Sequence, residues 1–272
     1  MQPMTDLSER FGKTIGRHFV TLSCVQHPPP PHEMQVHVFS GFVVEIAAQW
    51  FYLTAGHILR DIRAATATGS VFDVWRLGDQ TAGHKFQDTA VPYDFEIDLW
   101  CVLEDAELGL DYAAVHLGGL YRRQLEVGGV LPFGPDSWSD HTVPHDHWVL
   151  LGVPRESVAY DGKTMITARI VVAPLTVTEP PPMAEGRADH QFYAKLAGDS
   201  DGFVTDLDGM SGGPVAMLKH VDGGWKYSII GVQSGWYPSL RTIAACPIRS
   251  FTDALRPIVE EALSFVSSAK EG

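Results

Sequence analysis

The sequence predicts an all-β fold, and two observations support that prediction. The chain has 272 residues and includes 26 Gly and 18 Pro, a composition that favours many turns and therefore many short strands. Between the turns lie short runs of β-branched and aromatic residues, such as residues 36–46 and 49–54, which are typical of paired strands. Strands at this spacing indicate barrels or a sandwich, and such folds often reach about 200–250 residues as one domain.

Each predicted strand is a run of apolar residues bounded by polar or Gly/Pro-rich turns. The first two long runs, 36–46 and 49–54, are expected to form a hairpin. The Pro-rich and polar residues 179–202 are expected to form a long surface loop. The predicted strands are residues 18–25, 36–46, 49–54, 71–77, 98–103, 112–117, 148–151, 165–172, 214–218 and 226–233.

Three helical segments are predicted from apolar residues that recur at a spacing of three or four. A short helix is expected over residues 6–17, where Phe11 and Ile15 share a face, and a helical turn over residues 58–65. The strongest helix candidate is residues 250–265, which carry an apolar stripe. Pro257 within that stripe predicts a kink or a later start.

Charge and cysteine usage restrict the partners and the compartment. The formal net charge is −13, which disfavours binding to nucleic acid or to an anionic membrane. The three cysteines give no disulfide framework. The first 17 residues lack the apolar core of a secretory signal, and no run of about 20 apolar residues is present. We therefore expect a cytoplasmic protein.

Three short motifs contain the residues that acyl transfer requires. Ser211 lies in Gly-Met-Ser-Gly-Gly-Pro, a turn that can direct two backbone N–H groups at one point. His57 follows Leu-Thr-Ala-Gly, and Asp111 begins Asp-Tyr-Ala-Ala-Val. A serine nucleophile needs an adjacent base, and imidazole can both accept and return a proton near neutral pH. Asp111 would orient that imidazole. Asp98 is a rival, because it also precedes an apolar run.

These motifs resemble those of the chymotrypsin-like (trypsin-like) serine proteases, and more closely the bacterial and intracellular members. Thr-Ala-Gly-His resembles the family's Thr-Ala-Ala-His, and Gly-Met-Ser-Gly-Gly-Pro resembles its Gly-Asp-Ser-Gly-Gly-Pro. The order His, Asp, Ser is also the family's order. Gly-Val-Pro at 152–154 and Ser-Gly at 234–235 match further family turns and strands. The likeness covers about residues 18–265.

The resemblance implies two packed six-stranded antiparallel β-barrels, with the active site between them, and a C-terminal α-helix. The first barrel would span residues 18–120 and contain His57 and Asp111. The second would span residues 121–249 and contain Ser211, and the helix would occupy residues 250–266. The whole chain would form one peptidase domain. The backbone N–H groups of Gly209 and Ser211 would form the oxyanion hole.

Met210 departs from the family pattern. Secreted members have an aspartate at this position, which binds the new N-terminal ammonium after zymogen cleavage. Methionine cannot form that ion pair, so we expect no activation by N-terminal cleavage. The loop around Ser211 would then be ordered by apolar packing or by an activating protein partner.

The resemblance also indicates which residues contact substrate. Thr205 would lie at the floor of the specificity pocket, where trypsin-like members have aspartate, and Ser234, Gly235 and Trp236 would line its wall. A neutral Thr205 argues against simple Lys/Arg specificity, whereas Asp206 and Asp208 are alternative sources of negative charge. We expect small or apolar substrate residues before the scissile bond.

The sequence therefore predicts a serine endopeptidase that acts on protein or peptide substrates and requires no cofactor. Two alternatives remain: a catalytically weak peptide-binding module and an esterase on the same fold. In the tract that contains His141, His145, Asp146 and His147, His145 and His147 would form a metal pair at most, because no third and fourth ligands follow from the spacing. We interpret that tract as a surface loop and expect no metal site.

Overall fold

The computed structural model describes residues 12, 14–79, 90–162, 166–187, 189–197 and 206–271, and these residues form a mostly β structure. The predicted N-terminal helix over residues 6–17 lies largely outside this part, but residues 12, 14 and 15 are helical, and a 3-10 helix follows at Gly16–His18. The N-terminal half contains eight strands: β1 Val20–His27, β2 Gln35–Phe39, β3 Phe42–Ile46, β4 Gln49–Thr54, β5 Val71–Asp79, β6 Val91–Pro92, β7 Cys101–Asp105 and β8 Leu110–His116.

The strands of the N-terminal half form two four-stranded antiparallel sheets, ordered β2-β1-β5-β6 and β3-β4-β8-β7. The predicted hairpin of residues 36–46 and 49–54 is present as β3 and β4, with Phe42 opposite Leu53. A bridge between Phe19 and Phe42 joins the sheets at one corner. Among the described residues of this half, the two sheets do not close into the barrel that the resemblance implies.

The C-terminal half contains one closed six-stranded barrel, in the order β12-β13-β16-β15-β14-β9. Two further short strands, β10 and β11, form a separate hairpin. The strands are β9 His147–Gly152, β10 Ala159–Tyr160, β11 Ile166–Thr167, β12 Val171–Thr178, β13 Phe192–Leu196, β14 Pro214–Val221, β15 Gly224–Tyr237 and β16 Thr242–Pro247.

The α-helices whose full bounds the structure describes are α1 Gly56–Ala67, α2 Gly119–Val127 and α3 Ile248–Glu271. α3 is longer than the predicted helix at both ends and continues through Pro257. Proline in a helix interior removes one backbone hydrogen bond, and Pro257 lies on the exposed side of α3. The apolar residues Phe251, Leu255 and Val259 are buried and attach the helix to the protein.

The structure corrects several sequence predictions. The run 36–46 forms two strands, because the extended strand is interrupted at Ser40 and Gly41, between β2 and β3. The predicted surface loop of residues 179–202 contains β13 within its described part. Four of the five β13 residues are buried, so the polar-apolar alternation that identifies a half-buried strand is missing. The strand β16 and the helix α2 were not predicted either.

The two halves share a continuous apolar core. One cluster combines Leu53 and Tyr112 of the N-terminal half with Leu151 and Val232 of the barrel and with Phe251 of α3. Separate clusters fill the N-terminal half and the barrel. Burial of apolar area at the shared cluster fixes the relative position of the halves. None of the helices in the described part of the chain combines the length and apolar character needed to span a membrane.

Candidate active site

Asp111 forms two hydrogen bonds with His57. The Asp111 Oδ1 atom accepts the backbone N–H of His57 at 2.7 Å, and the Oδ2 atom lies 2.7 Å from the imidazole Nδ1. Because a carboxylate accepts hydrogen bonds, the pair favours the tautomer with the proton on Nδ1. The Nε2 atom is then left as a proton acceptor. The rival carboxylate, Asp98, is exposed in a 3-10 helix at Ile97–Leu99.

The start of α1 holds this pair in position. His57 is the second residue of the helix, and its N–H is one of the first-turn donors that have no partner within a helix. The Asp111 carboxylate supplies that partner and places negative charge at the positive end of the helix dipole. Gly56 packs closely on the pair, since a Cβ there would lie 3.0 Å from the Tyr112 carbonyl and 3.1 Å from Asp111 Oδ1.

The pKa of His57 is raised above its ordinary value. Burial lowers this pKa, but the hydrogen bond to Asp111 and the negative charges of Asp111 and Asp61 outweigh burial and the opposing charge of Arg60. The carboxylates thus stabilise the imidazolium that forms when Nε2 accepts a proton. This environment suits a side chain that takes up and releases a proton near neutral pH.

Ser211 lies in a tight turn that is tied to β15. The N–H of Gly212 donates to the Gln233 carbonyl at 2.8 Å, and the N–H of Gln233 donates to the Gly213 carbonyl at 2.9 Å. Within the turn, the N–H of Gly213 donates to the Met210 carbonyl at 3.0 Å. These bonds fix the backbone on both sides of the serine hydroxyl.

The predicted oxyanion donors, Gly209 and Ser211, lie in the same turn. Among the described residues no backbone carbonyl accepts the N–H of either one. Gly209 has φ +86°, and a Cβ there would lie 2.8 Å from the Arg155 backbone nitrogen. Both the left-handed conformation and the close approach require glycine.

Close packing holds the serine turn against the N-terminal half. Gly212 has φ +86°, and a Cβ at this position would come within 2.0 Å of Thr54 Oγ1 and 2.4 Å of the Ser40 carbonyl. Thr54 in turn donates its hydroxyl to that carbonyl at 2.7 Å, and the Ser40 hydroxyl accepts the N–H of Val153 at 2.9 Å. The turn and the His57 loop therefore meet with almost no free space.

Met210 is fully buried within the barrel core. It packs so closely on Gly152 that a Cβ there would lie 2.8 Å from the Met210 Cβ. The residue at this position of the turn is therefore held by apolar contacts rather than by an ion pair. Burial of a methionine side chain of this size contributes about 1.5–3 kcal/mol.

Two clefts meet at the candidate site, and both are lined by His57 and Ser211. One cleft, of about 630 Å³, runs past β2 and the start of α1 toward Arg155 and Tyr160. The other, of about 530 Å³, also contains Asp111, Gln191 and Trp236. Volumes of this order suit a bound peptide or ligand. No hydrogen bond joins the Ser211 hydroxyl to His57, although such bonds are often long before substrate binds.

The predicted substrate-binding residues are partly described. Ser234, Gly235 and Trp236 line the second cleft, whereas Thr205 lies outside the described residues. The Trp236 indole N–H donates to Asp206 Oδ1 at 2.8 Å, so Asp206 is the alternative acidic residue that contacts the predicted pocket wall. Asp208 lines both clefts, with Arg155 4.0 Å away.

The predicted surface tract of histidines packs on aromatic rings. His141 stacks on Phe192, and His145 stacks on Trp148. Within the described part of the chain no three His, Cys, Asp or Glu side chains converge as metal ligands do.

Gln191 is a polar residue near the site that the sequence prediction missed. It was assigned to a surface loop, yet its side chain is buried and lines the second cleft. Its position before Phe192-Tyr193-Ala194, an apolar run that forms β13, was the available signal.

No protein-family model matches the chain, and no curated protein is similar to it in sequence. Solved structures with related coordinates include protease Anisep from Arthrobacter nicotinovorans, with 17% identity and a TM-score of 0.44 over 85% of this chain and 90% of that chain. A thermostable serine protease, AL20, from an extremophilic microorganism has 16% identity and a TM-score of 0.46 over 86% of this chain and 92% of that chain.

A catalytically inactive tobacco etch virus protease complexed with substrate has 11% identity and a TM-score of 0.42, over 88% of this chain and 80% of that chain. These likenesses are distant in both sequence and coordinates. A proposal of function must therefore depend on the positions of the protein's own side chains.

Proposed function

We propose that the chain is a serine-type hydrolase that cleaves peptide bonds as an endopeptidase. The observation that carries this proposal is the double hydrogen bond between Asp111 and His57 beside clefts that Ser211 also lines. A neutral imidazole held by a carboxylate, next to a serine in a Gly-rich turn, is the arrangement that acyl transfer needs.

In the proposed reaction, the Ser211 hydroxyl attacks the scissile carbonyl while His57 Nε2 takes the hydroxyl proton. The negative oxygen that forms accepts the N–H groups of Gly209 and Ser211. His57 then returns the proton to the leaving amine, and an acyl-enzyme remains on Ser211. Water then attacks the ester carbonyl of the acyl-enzyme while His57 accepts a proton from it. His57 returns that proton to the Ser211 oxygen, and the carboxylic acid product is released. Asp111 holds the imidazole in place and stabilises the imidazolium each time it forms.

No activation by N-terminal cleavage is part of this proposal. The burial of Met210 against Gly152 supports ordering of the serine turn by apolar contacts. Because Met210 cannot form the ion pair that orders this loop in secreted family members, gating by a protein partner that orders the site is also part of the proposal. Full turnover of a short peptide by the purified monomer would argue against such gating.

A fluorophosphonate probe tests the proposed function directly, because it reacts only with an activated serine. We expect covalent labelling of Ser211, located by mass spectrometry, with no labelling in Ser211→Ala. Labelling of a serine other than Ser211, or no labelling in either the presence or the absence of cell extract, would contradict the hydrolase proposal.

Two alternative functions predict different results in the labelling and turnover experiments. A peptide-binding module, which would hold a peptide in the same clefts, would bind peptides without labelling. An esterase would be labelled and would hydrolyse activated esters but not peptide amides. Mapping of newly formed protein termini in a cell extract would then give the substrate preference, for which we expect small or apolar residues before the cleaved bond.

A further inference from the structure

We propose that Gln191 is a positioning residue. It holds Asp111, and through Asp111 also His57, in position relative to the half of the protein that contains Ser211. This inference rests on the proposed function, since it concerns the alignment of the same three side chains. Gln191 itself touches neither His57 nor Ser211 in the structure.

The amide of Gln191 crosses from one half of the protein to the other. Its Nε2 donates to the Gly109 carbonyl at 2.8 Å, and Gly109 lies two residues before Asp111 in the β7–β8 turn. The same Nε2 lies 3.2 Å from the Ser234 hydroxyl oxygen on β15. One side chain therefore connects the segment that carries Asp111 with the strand that is bonded to the serine turn.

Gln191 has little freedom to move. The side chain is nine-tenths buried, and its Oε1 accepts the hydroxyl of Tyr193 at 2.8 Å. Gly109 has φ +80°, and a Cβ at Gly109 would lie 2.9 Å from the Gln191 Cδ. The amide therefore packs directly on the Gly109 backbone. The Tyr193 hydroxyl holds its Oε1, and the Gly109 carbonyl and the Ser234 hydroxyl hold its Nε2.

Two other bonds support the same junction. The Cys246 thiol donates to the Gly109 carbonyl at 3.2 Å, and the Tyr112 hydroxyl donates to the Pro247 carbonyl at 2.8 Å. Asp111 is therefore flanked on both sides by residues that the C-terminal half holds. The Gln191 amide adds a direct link from the Gly109 carbonyl to Ser234 on β15, the strand that is bonded to the serine turn.

The test replaces Gln191 with methionine, which has a similar shape but no hydrogen-bonding amide. We expect kcat/KM to fall by about 10- to 100-fold, the effect of a small misalignment of reacting groups. Because the contact of His57 with Asp111 weakens, we also expect the pKa of His57, followed by NMR, to fall and the pH–rate profile to move in the same direction.

Thr252→Val is the matched control, because Thr252 is fully buried and its hydroxyl donates to the Ile248 carbonyl within α3. It should lose stability with no change in the His57 titration. The proposal is overturned if Gln191→Met leaves the His57 titration at its wild-type position, whether or not the rate falls. If Gln191→Met does not fold, Tyr193→Phe serves instead, since it removes the hydrogen bond to Oε1 that orients the Gln191 amide; a wild-type titration in that variant also overturns the proposal.

The two proposals fail in different ways. Absence of Ser211 labelling in the wild-type protein contradicts the hydrolase function, whereas the His57 titration still reports on Gln191. Normal labelling with an unchanged titration in Gln191→Met contradicts only the role of Gln191.

Discussion

Asp111 binds both the backbone and the side chain of His57, with each of its two oxygens 2.7 Å from a His57 nitrogen. The backbone bond places the carboxylate at the start of α1, and the side-chain bond fixes the imidazole against the same carboxylate. One residue therefore sets the position, the tautomer and the pKa of the proposed base.

Asp111→Asn should lower kcat by about 10⁴-fold, because an amide can stabilise the wrong imidazole tautomer and cannot stabilise the imidazolium. The pKa of His57 should fall as well, since Asp111 raises it. Steady-state kinetics and NMR titration of His57 measure both effects. Asp98→Asn is the control, and a loss of comparable size in that variant would contradict the assignment of Asp111.

The activity of the wild-type protein should decrease as the pH falls through the raised pKa of His57, because only the neutral imidazole accepts the serine proton. Asp61→Asn removes a negative charge that raises this pKa, so activity should persist to lower pH. The shift should shrink at high salt, because Asp61 is largely exposed. The pH dependence of kcat/KM measures it, with exposed Asp253→Asn as control. An unchanged acid limb in Asp61→Asn would refute this prediction.

His18 should make stability depend on pH. It is buried, its ring stacks on Phe133, and its nitrogens contact the Leu131 carbonyl and the Tyr227 hydroxyl. Burial lowers the pKa of His18 to about 4. Between about pH 6.5 and 4 the unfolded chain therefore binds a proton on His18 that the folded protein does not bind. The free energy of unfolding should fall by at most about 3 kcal/mol as the pH decreases through that range.

Denaturant unfolding at several pH values measures the His18 contribution. His18→Gln should be less stable at neutral pH and should lack this part of the pH dependence, whereas exposed His32→Gln should keep it. An identical pH dependence in His18→Gln and in the wild-type protein would rule out His18 as its source.

Gly212→Ala should destabilise the protein by about 2–5 kcal/mol. The added Cβ combines a left-handed backbone, which costs about 1–2 kcal/mol, with overlap on Thr54 and Ser40, which costs about 1–3 kcal/mol. Gly129→Ala is the matched control, because Gly129 has φ +81° but open space around it. Equal free energies of unfolding for the two variants would show that the close approach at Gly212 is unimportant.

Met210→Ala should reduce both stability and activity. Truncation of a buried methionine costs about 2–5 kcal/mol, and the lost contacts with Gly152 should loosen the turn around Ser211. Met217→Ala removes another buried methionine from the same barrel core and should reduce stability alone. Labelling of Ser211 by a fluorophosphonate, at a temperature where both variants are folded, separates the effects. Equal labelling rates would contradict ordering of the turn by Met210.

The sequence by itself predicted the mostly β class, the β3–β4 hairpin and the three candidate catalytic residues, because these depend on local patterns. Gly-rich turns, β-branched runs and a small-residue loop before His57 are all visible over a few neighbouring positions. The same reasoning missed β13 and β16, whose residues are buried on both faces and so show no alternation. It also joined β2 and β3 into one strand across Ser40 and Gly41.

The tertiary structure decided which carboxylate reaches His57 and what holds that carboxylate in place. In the sequence, Asp98 precedes an apolar run and Asp111 begins one; the packing of β8 against α1 brings Asp111, and not Asp98, to the imidazole. The roles of Gln191, Gly212 and Met210 are likewise decided by contacts between segments that are distant in sequence. Such contacts depend on how buried surfaces fit together, and no pattern within a single segment records that fit.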